Sequence, residues 1–199
     1  MQRLSRWWRA AAALVVVAAF AIAAGAGTRA DAQARASATT TASLVLRVLS
    51  YDRALRARSP TGRVRVLAVY RTSETGARAS CEATARAIGL LGRSVKVSGM
   101  NSEATAYAYS SPQALAEAGR GFQALYVCGS LDGTLSVVSQ AARRLSLLSI
   151  SEREDYVRGG LSVGIVSESR LRLVVNMTAA TAEGARLDPA LLRIATVLR

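Results

Sequence analysis

Histidine is absent from all 199 residues, which removes the side chain that most readily moves protons near neutral pH. His-based triads, His general bases and nearly all zinc catalysis are excluded with it. Lysine occurs once, at Lys96. Ser94 and Ser98 flank it, but a short alternating polar segment gives no burial to depress an amine, so a Ser–Lys dyad is not expected. The two cysteines, Cys81 and Cys128, are too far apart for a CxxC redox pair or a zinc knuckle. Neither GxGxxG nor a P-loop pattern occurs, so a nucleotide cradle has no basis. Aromatic residues are only 5% of the chain. The core must therefore be built from Leu, Val and Ile, with Ala at close contacts.

What is present begins with an export pattern. Arg3, Arg6 and Arg9 form a positive n-region, and Ala10 to Ala24 is uncharged and apolar. Ala30-Asp31-Ala32 then supplies the small-x-small pattern of a cleavage site, with Ala32-Gln33-Ala34 as a second candidate. The apolar run is shorter than the roughly 20 residues a membrane span needs. Residues 1–32 therefore read as a cleavable signal peptide, and the mature protein is expected to be soluble and exported. The remaining chain is long enough for one domain. A hydrophobic fraction of 51% excludes wholesale disorder.

The chain carries 26 Lys plus Arg against 13 Asp plus Glu. Residues 1–32 hold four Arg and one Asp, so the remainder keeps +10. Arg binds phosphate well, yet export argues against nucleic acid. Anionic head groups, cell-wall polymer or an acidic protein face suit the destination better. The arginines are scattered, as on ordinary solvated helix faces. In an oxidising compartment Cys81 and Cys128 have one way to pair. Cys81 shares a helical face with Ala85 and Ile88, and Cys128 ends an apolar strand. That placement suits a disulfide and two buried free thiols equally.

Residues 33–43 are rich in Ala, Ser and Thr without periodicity and read as a flexible linker. A helix carrying Leu44, Val45, Val48, Leu49 and Leu55 follows and ends before Ser59-Pro60. Strands are expected over 64–70, 95–97, 104–109, 124–128 and 147–150, with a hairpin of 161–166 and 171–175. Helices are expected over 77–91, closed by Gly92, and over 112–118. A third runs from a Ser130 cap through Leu145, and a last one from Asp188-Pro189 to Leu198. This alternation predicts an α/β fold, a single domain with a mixed β-sheet flanked by helices.

Glu152, Glu154 and Asp155 are the densest acidic cluster, but Arg153 and Arg158 are interleaved with them. A solvated loop with local ion pairs accounts for them better than catalysis or Ca²⁺ binding. Gly159-Gly160 is expected to turn the chain into the hairpin at positive φ, and Asn176 to cap a helix. No catalytic, cofactor-binding or metal-binding residue emerges, and the protein reads as a non-enzyme without a cofactor.

The carboxyl-terminal third carries an ordered series of motifs. Leu147 to Ser151 is followed by Gly159-Gly160-Leu161-Ser162-Val163-Gly164-Ile165 and by Leu171 to Ala180. Glu183-Gly184-Ala185-Arg186-Leu187 and Leu191 to Ala195 complete it. With Arg63 to Tyr70 and Ala124 to Gly129 upstream, the series resembles the YfiR-like family of bacterial periplasmic proteins over roughly 44–198. One departure is Leu46 to Arg53, where many members have an aromatic-rich segment ending in Trp-Pro. The resemblance implies a domain over 44–199 that restrains a membrane-bound diguanylate cyclase through its periplasmic sensor region, and so governs cyclic di-GMP and biofilm behaviour. Some members use disulfides for stability or redox response. The expected partner is the periplasmic region of an inner-membrane signalling protein. Cell-wall or anionic surfaces and a second copy of the chain, as a homodimer, are further candidates. The alternative is a binding protein for a small molecule or cell-wall polymer, using a cleft at the carboxyl ends of its strands.

Overall fold

The computed structural model describes residues 32–167 and 170–198. The chain divides into two compact units, residues 1–37 and 38–199. Of the first, only residues 32–37 are described, and they are helical and exposed. The expected signal peptide, apart from Ala32, lies outside the described residues. The structure below is that of the second unit.

Residues 32–50 are helical (α1), so the segment expected as a flexible linker over 33–43 is not one. It lacks large apolar residues, which hides its face from a periodicity argument. Alanine is the strongest helix former, and the burial of Ala38 and Ala42 marks the side that packs. The helix also stops at Ser50 instead of continuing towards Ser59. Asp52 turns inward there, bridging to Leu187 and accepting the Arg186 N–H at 2.9 Å.

The elements that follow are β1 (Arg63–Tyr70), α2 (Ala77–Ser94), β2 (Asn101–Ala108), α3 (Pro112–Ala118), β3 (Ala124–Val127), α4 (Leu135–Leu145) and β4 (Leu148–Ser151). Then come α5 (Glu154–Arg158), β5 (Val163–Ser167), β6 (Leu171–Asn176), α6 (Met177–Ala182), α7 (Pro189–Ile194) and β7 (Ala195–Leu198). The strands form one seven-stranded sheet in the order β2-β1-β3-β4-β5-β6-β7. Strands β1 to β5 are parallel to one another, β6 runs antiparallel to β5, and β7 is parallel to β6. The fold is therefore α/β with a mixed sheet flanked by helices, as the alternation of elements implied.

Alternate side chains of the central strands serve two cores. Val64, Val66 and Ala68 of β1 and Tyr126 of β3 face the side covered by α1 and α2. Leu67, Val69, Leu125 and Val127 face the side covered by α3 and α4. Both faces being dry, β1 reads as nearly continuous apolar sequence.

Four further departures from expectation have their reason in the packing. Gly92 does not close α2, which runs on to Ser94. A Cβ at Gly92 would lie 2.3 Å from the Ser102 carbonyl oxygen, so glycine is there to let α2 approach β2. Residues 95–97 are not a strand. Val97 and Met100 exchange backbone hydrogen bonds of 3.0 and 2.9 Å around Ser98 and Gly99, both at positive φ, which is the two-residue tight turn that such dihedrals favour. Helix α4 starts at Leu135 with Thr134, not Ser130, before it. The last helix ends at Ile194, and β-branched Thr196 and Val197 pair with β6 instead. That pairing covers an edge of β6 that a longer helix would leave bare.

Candidate functional site

Strand β1 leads through α2 to β2 on one side, and α3 then carries the chain back past β1 to β3. The direction of sheet growth reverses between β1 and β3, and in open α/β sheets ligands bind in the crevice outside such a reversal. Here residues 71–76 and 128–134 border that point.

Cys81 and Cys128 span it. Cys81 lies in α2 and Cys128 directly follows β3. Both are buried, with Cα atoms 5.5 Å apart and a disulfide closing 47 residues of sequence separation. The sequence left a bond and two free thiols open, and the structure has the bond. Beside it, Glu74 Oε2 accepts the Ser130 N–H at 2.6 Å, and Arg71 donates to the Asp132 carbonyl at 2.7 Å. A Cβ on Gly129 would stand 2.4 Å from the Glu74 carboxylate, so this close approach requires glycine. Tyr156 completes the closure. Its hydroxyl accepts the Leu131 N–H at 2.6 Å and donates to Asp132 Oδ1 at 2.8 Å. That bond, aided by Ser130, holds the Asp132 carboxyl below its ordinary range. The Arg153 guanidinium lies over the Tyr156 ring, 4.5 Å from its centre. The crevice mouth thus holds the chain's own carboxylate, guanidinium and phenol.

The acidic cluster disperses. Glu152 accepts from Tyr126 at 2.7 Å and from Thr41 at 2.9 Å, joining α1 to β3. Burial, with the Glu152 charge, raises the Tyr126 phenol far above its usual pKa. Glu154 pairs with Arg158 at 2.7 Å and Arg172 at 3.2 Å, and Asp155 with Arg153 at 2.5 Å. Hydrogen bonds from Arg158 and from Arg153 hold Glu154 and Asp155, respectively, below their ordinary range. No three His, Cys, Asp or Glu residues gather as metal ligands among the described residues. Lys96 is exposed and donates to Asn101 Oδ1, unlike a buried catalytic amine. Asn176 caps α6, accepting from the Ala179 N–H at 3.0 Å; of Gly159-Gly160, Gly160 has φ +110° as the turn demanded, whereas Gly159 ends α5 at φ −79°.

Two buried carboxylates escaped the sequence reading. Asp52, 1% exposed, pairs with Arg58. Glu183, fully buried, sits between Ser149 and Ser162. The available signals were weak: a lone acid among Arg47, Arg53, Arg56 and Arg58, and a lone acid within the small-residue run 179–185.

The family model described as YfiR/HmsC-like matches residues 38–196, well over half the chain. The chain belongs to the YfiR/HmsC-like family. The match begins at Ala38, where the buried face of α1 begins, and so includes part of the segment expected as a linker. No curated protein matches the chain. Among solved structures, an ABC domain in complex with L-Trp from Streptococcus pneumonia is similar at 12% identity and a TM-score of 0.54, covering 76% of this family member and 62% of that chain. CD0873, a substrate binding protein with adhesive properties from Clostridium difficile, in its ligand-free open form, gives 16% identity and a TM-score of 0.50, over 73% and 57%. At these identities the likeness is one of fold. The chain spans about three fifths of the length of these structures. No helix among the described residues is long and apolar enough to cross a membrane.

Proposed function

We propose that this chain is an exported, non-catalytic periplasmic regulator that binds the periplasmic region of an inner-membrane signalling protein, a diguanylate cyclase or similar sensor. Membership of the YfiR/HmsC-like family carries the reading. Mechanistically, it acts by binding one conformation of the membrane partner more tightly than another and shifting its population. The alternative, a binding protein for a small molecule or wall polymer, would place its ligand at the reversal between β1 and β3. There Glu74 already occupies the Ser130 N–H and the disulfide ties the two borders together, which favours the protein-binding reading.

The test is in-cell crosslinking of tagged mature protein in the periplasm of its native host, followed by affinity capture and mass spectrometry. Enrichment of a membrane protein bearing a cytoplasmic cyclase or kinase domain is the expected result. Recovery of wall material or small ligands alone would overturn the reading in favour of the alternative.

A further inference from the structure

Helices α1 and α2 lie on the same face of the sheet, and a depression of about 250 Å³ opens between α1 and the carboxyl-terminal end of α2. Leu46, Leu91, Val95 and Val97 give it an apolar lining, and Arg47 and Lys96 border it. Val95 is 50% exposed, so a large apolar side chain left open to water stands beside the apolar residues of the depression, and grouped apolar residues mark a contact surface.

Two cations border the depression. Arg47 and Lys96 are exposed, and neither forms an ion pair among the described residues. Several other surface arginines do face carboxylates, as Arg53 does Asp188, Arg65 does Glu103, Arg78 does Glu82 and Arg158 does Glu154. An apolar depression bordered by uncompensated cations is complementary to a helix with an apolar stripe and flanking carboxylates.

We propose that this groove receives an acidic amphipathic helix of the membrane partner, an assignment that rests on the protein-binding reading above. An apolar side chain of that helix seats against Leu91 and Val95, and its carboxylates meet Arg47 and Lys96. The volume falls below the roughly 300 Å³ at which small-molecule pockets begin. A lipid surface is met by protruding apolar groups, whereas this apolar surface is concave and takes a side chain from a partner.

The experiment places a photo-crosslinking amino acid at Val95 and, on the opposite face of the sheet, at exposed Gln140 of α4, with further exposed positions scanned, in the intact chain expressed in its native host. Adducts are mapped by peptide mass spectrometry. The expected result is a Val95 adduct on an acidic amphipathic segment in the periplasmic part of an inner-membrane protein. Its yield should fall at least tenfold in the Arg47→Glu/Lys96→Glu variant, whose circular dichroism and melting temperature should match the parent because both sites are exposed. A membrane protein captured at Gln140 and not at Val95 overturns the groove assignment while leaving the regulator reading intact. An adduct at Val95 to lipid, to a second copy of the chain or to a segment without carboxylates overturns it as well, as does a yield unchanged by charge reversal. Failure at every scanned position overturns both the assignment and the reading beneath it.

Discussion

At the residue scale, the most consequential group is Glu183. Its carboxylate accepts the Ser149 N–H at 2.8 Å, the Ser149 hydroxyl at 2.6 Å and the Ser162 hydroxyl. The Ser149 hydroxyl oxygen in turn accepts the Ser162 N–H at 2.8 Å. These bonds and the field of Arg143 favour ionisation, but burial outweighs them and pushes the pKa up to about 7 from an ordinary 4.5. Between those values the folded chain keeps a proton that the unfolded chain releases. Stability therefore falls as pH rises through the window from 4.5 to 7 and then levels. The depressed acids Asp132, Glu154, Asp155 and Asp188 act at the opposite end. Their contribution is present above the ordinary carboxylate pKa and is lost as pH falls through their lowered values. Glu183→Gln should flatten the upper window and leave the acid limb in place. Urea unfolding at pH 5 and pH 8 should show the parent losing about 3 kcal/mol more than the variant. Equal losses in the two proteins would remove Glu183 as the source.

At the scale of elements, the disulfide joins α2 to the end of β3, two elements with no hydrogen-bonded pairing of their own. Closing a loop of 47 residues in separation stabilises by about 4 kcal/mol in the chain-entropy treatment. A domain of this size loses roughly 2–4 °C per kcal/mol. Cys81→Ser/Cys128→Ser should therefore melt on the order of 10 °C lower, and reductant should lower the parent's melting temperature while leaving the variant's unchanged. The elements legible in sequence were those whose local chemistry agreed with their packing. Strand β1 is rich in Val, Asp188-Pro189 opens α7, and Asn176 caps α6. The misread ones were decided by contacts distant in sequence. Ala38 and Ala42 become helical surface only against the core, Gly92 is explained only by Ser102, and Thr196 and Val197 turn to strand because β6 offers an edge. The two cysteines were legible as a pair, though not as a bond. Glu74 was not legible, because its partner is the backbone N–H of Ser130, which any residue carries.

At the scale of the whole molecule, the first helix and the carboxyl-terminal segment share one core. Buried residues from Ala38 to Leu191 form a continuous cluster, and Asp52 fastens its two ends. Its carboxylate accepts the N–H groups of Ala54 and Arg186, each at 2.9 Å, and pairs with Arg58. Arg58 also donates to the carbonyls of Gln123 and Ser146. Four distant stretches of sequence thus meet at one ion pair whose aspartate is sealed from water and whose arginine is 15% exposed. Removing one member of a buried pair leaves the other charge uncompensated and typically costs about 3–5 kcal/mol. Asp52→Ala should destabilise by that amount, and Asp52→Ala/Arg58→Met by less than the two single changes added together. The chain's two tryptophans, Trp7 and Trp8, lie within the expected signal peptide, so tyrosine fluorescence and far-UV circular dichroism of the mature protein are the probes. Because the core is shared, both should report one coincident urea transition in the parent and in each variant, moved to lower denaturant. Separate transitions for the two probes would mean that α1 and the carboxyl-terminal segment do not unfold with the sheet, and that Asp52 is a local fastening only.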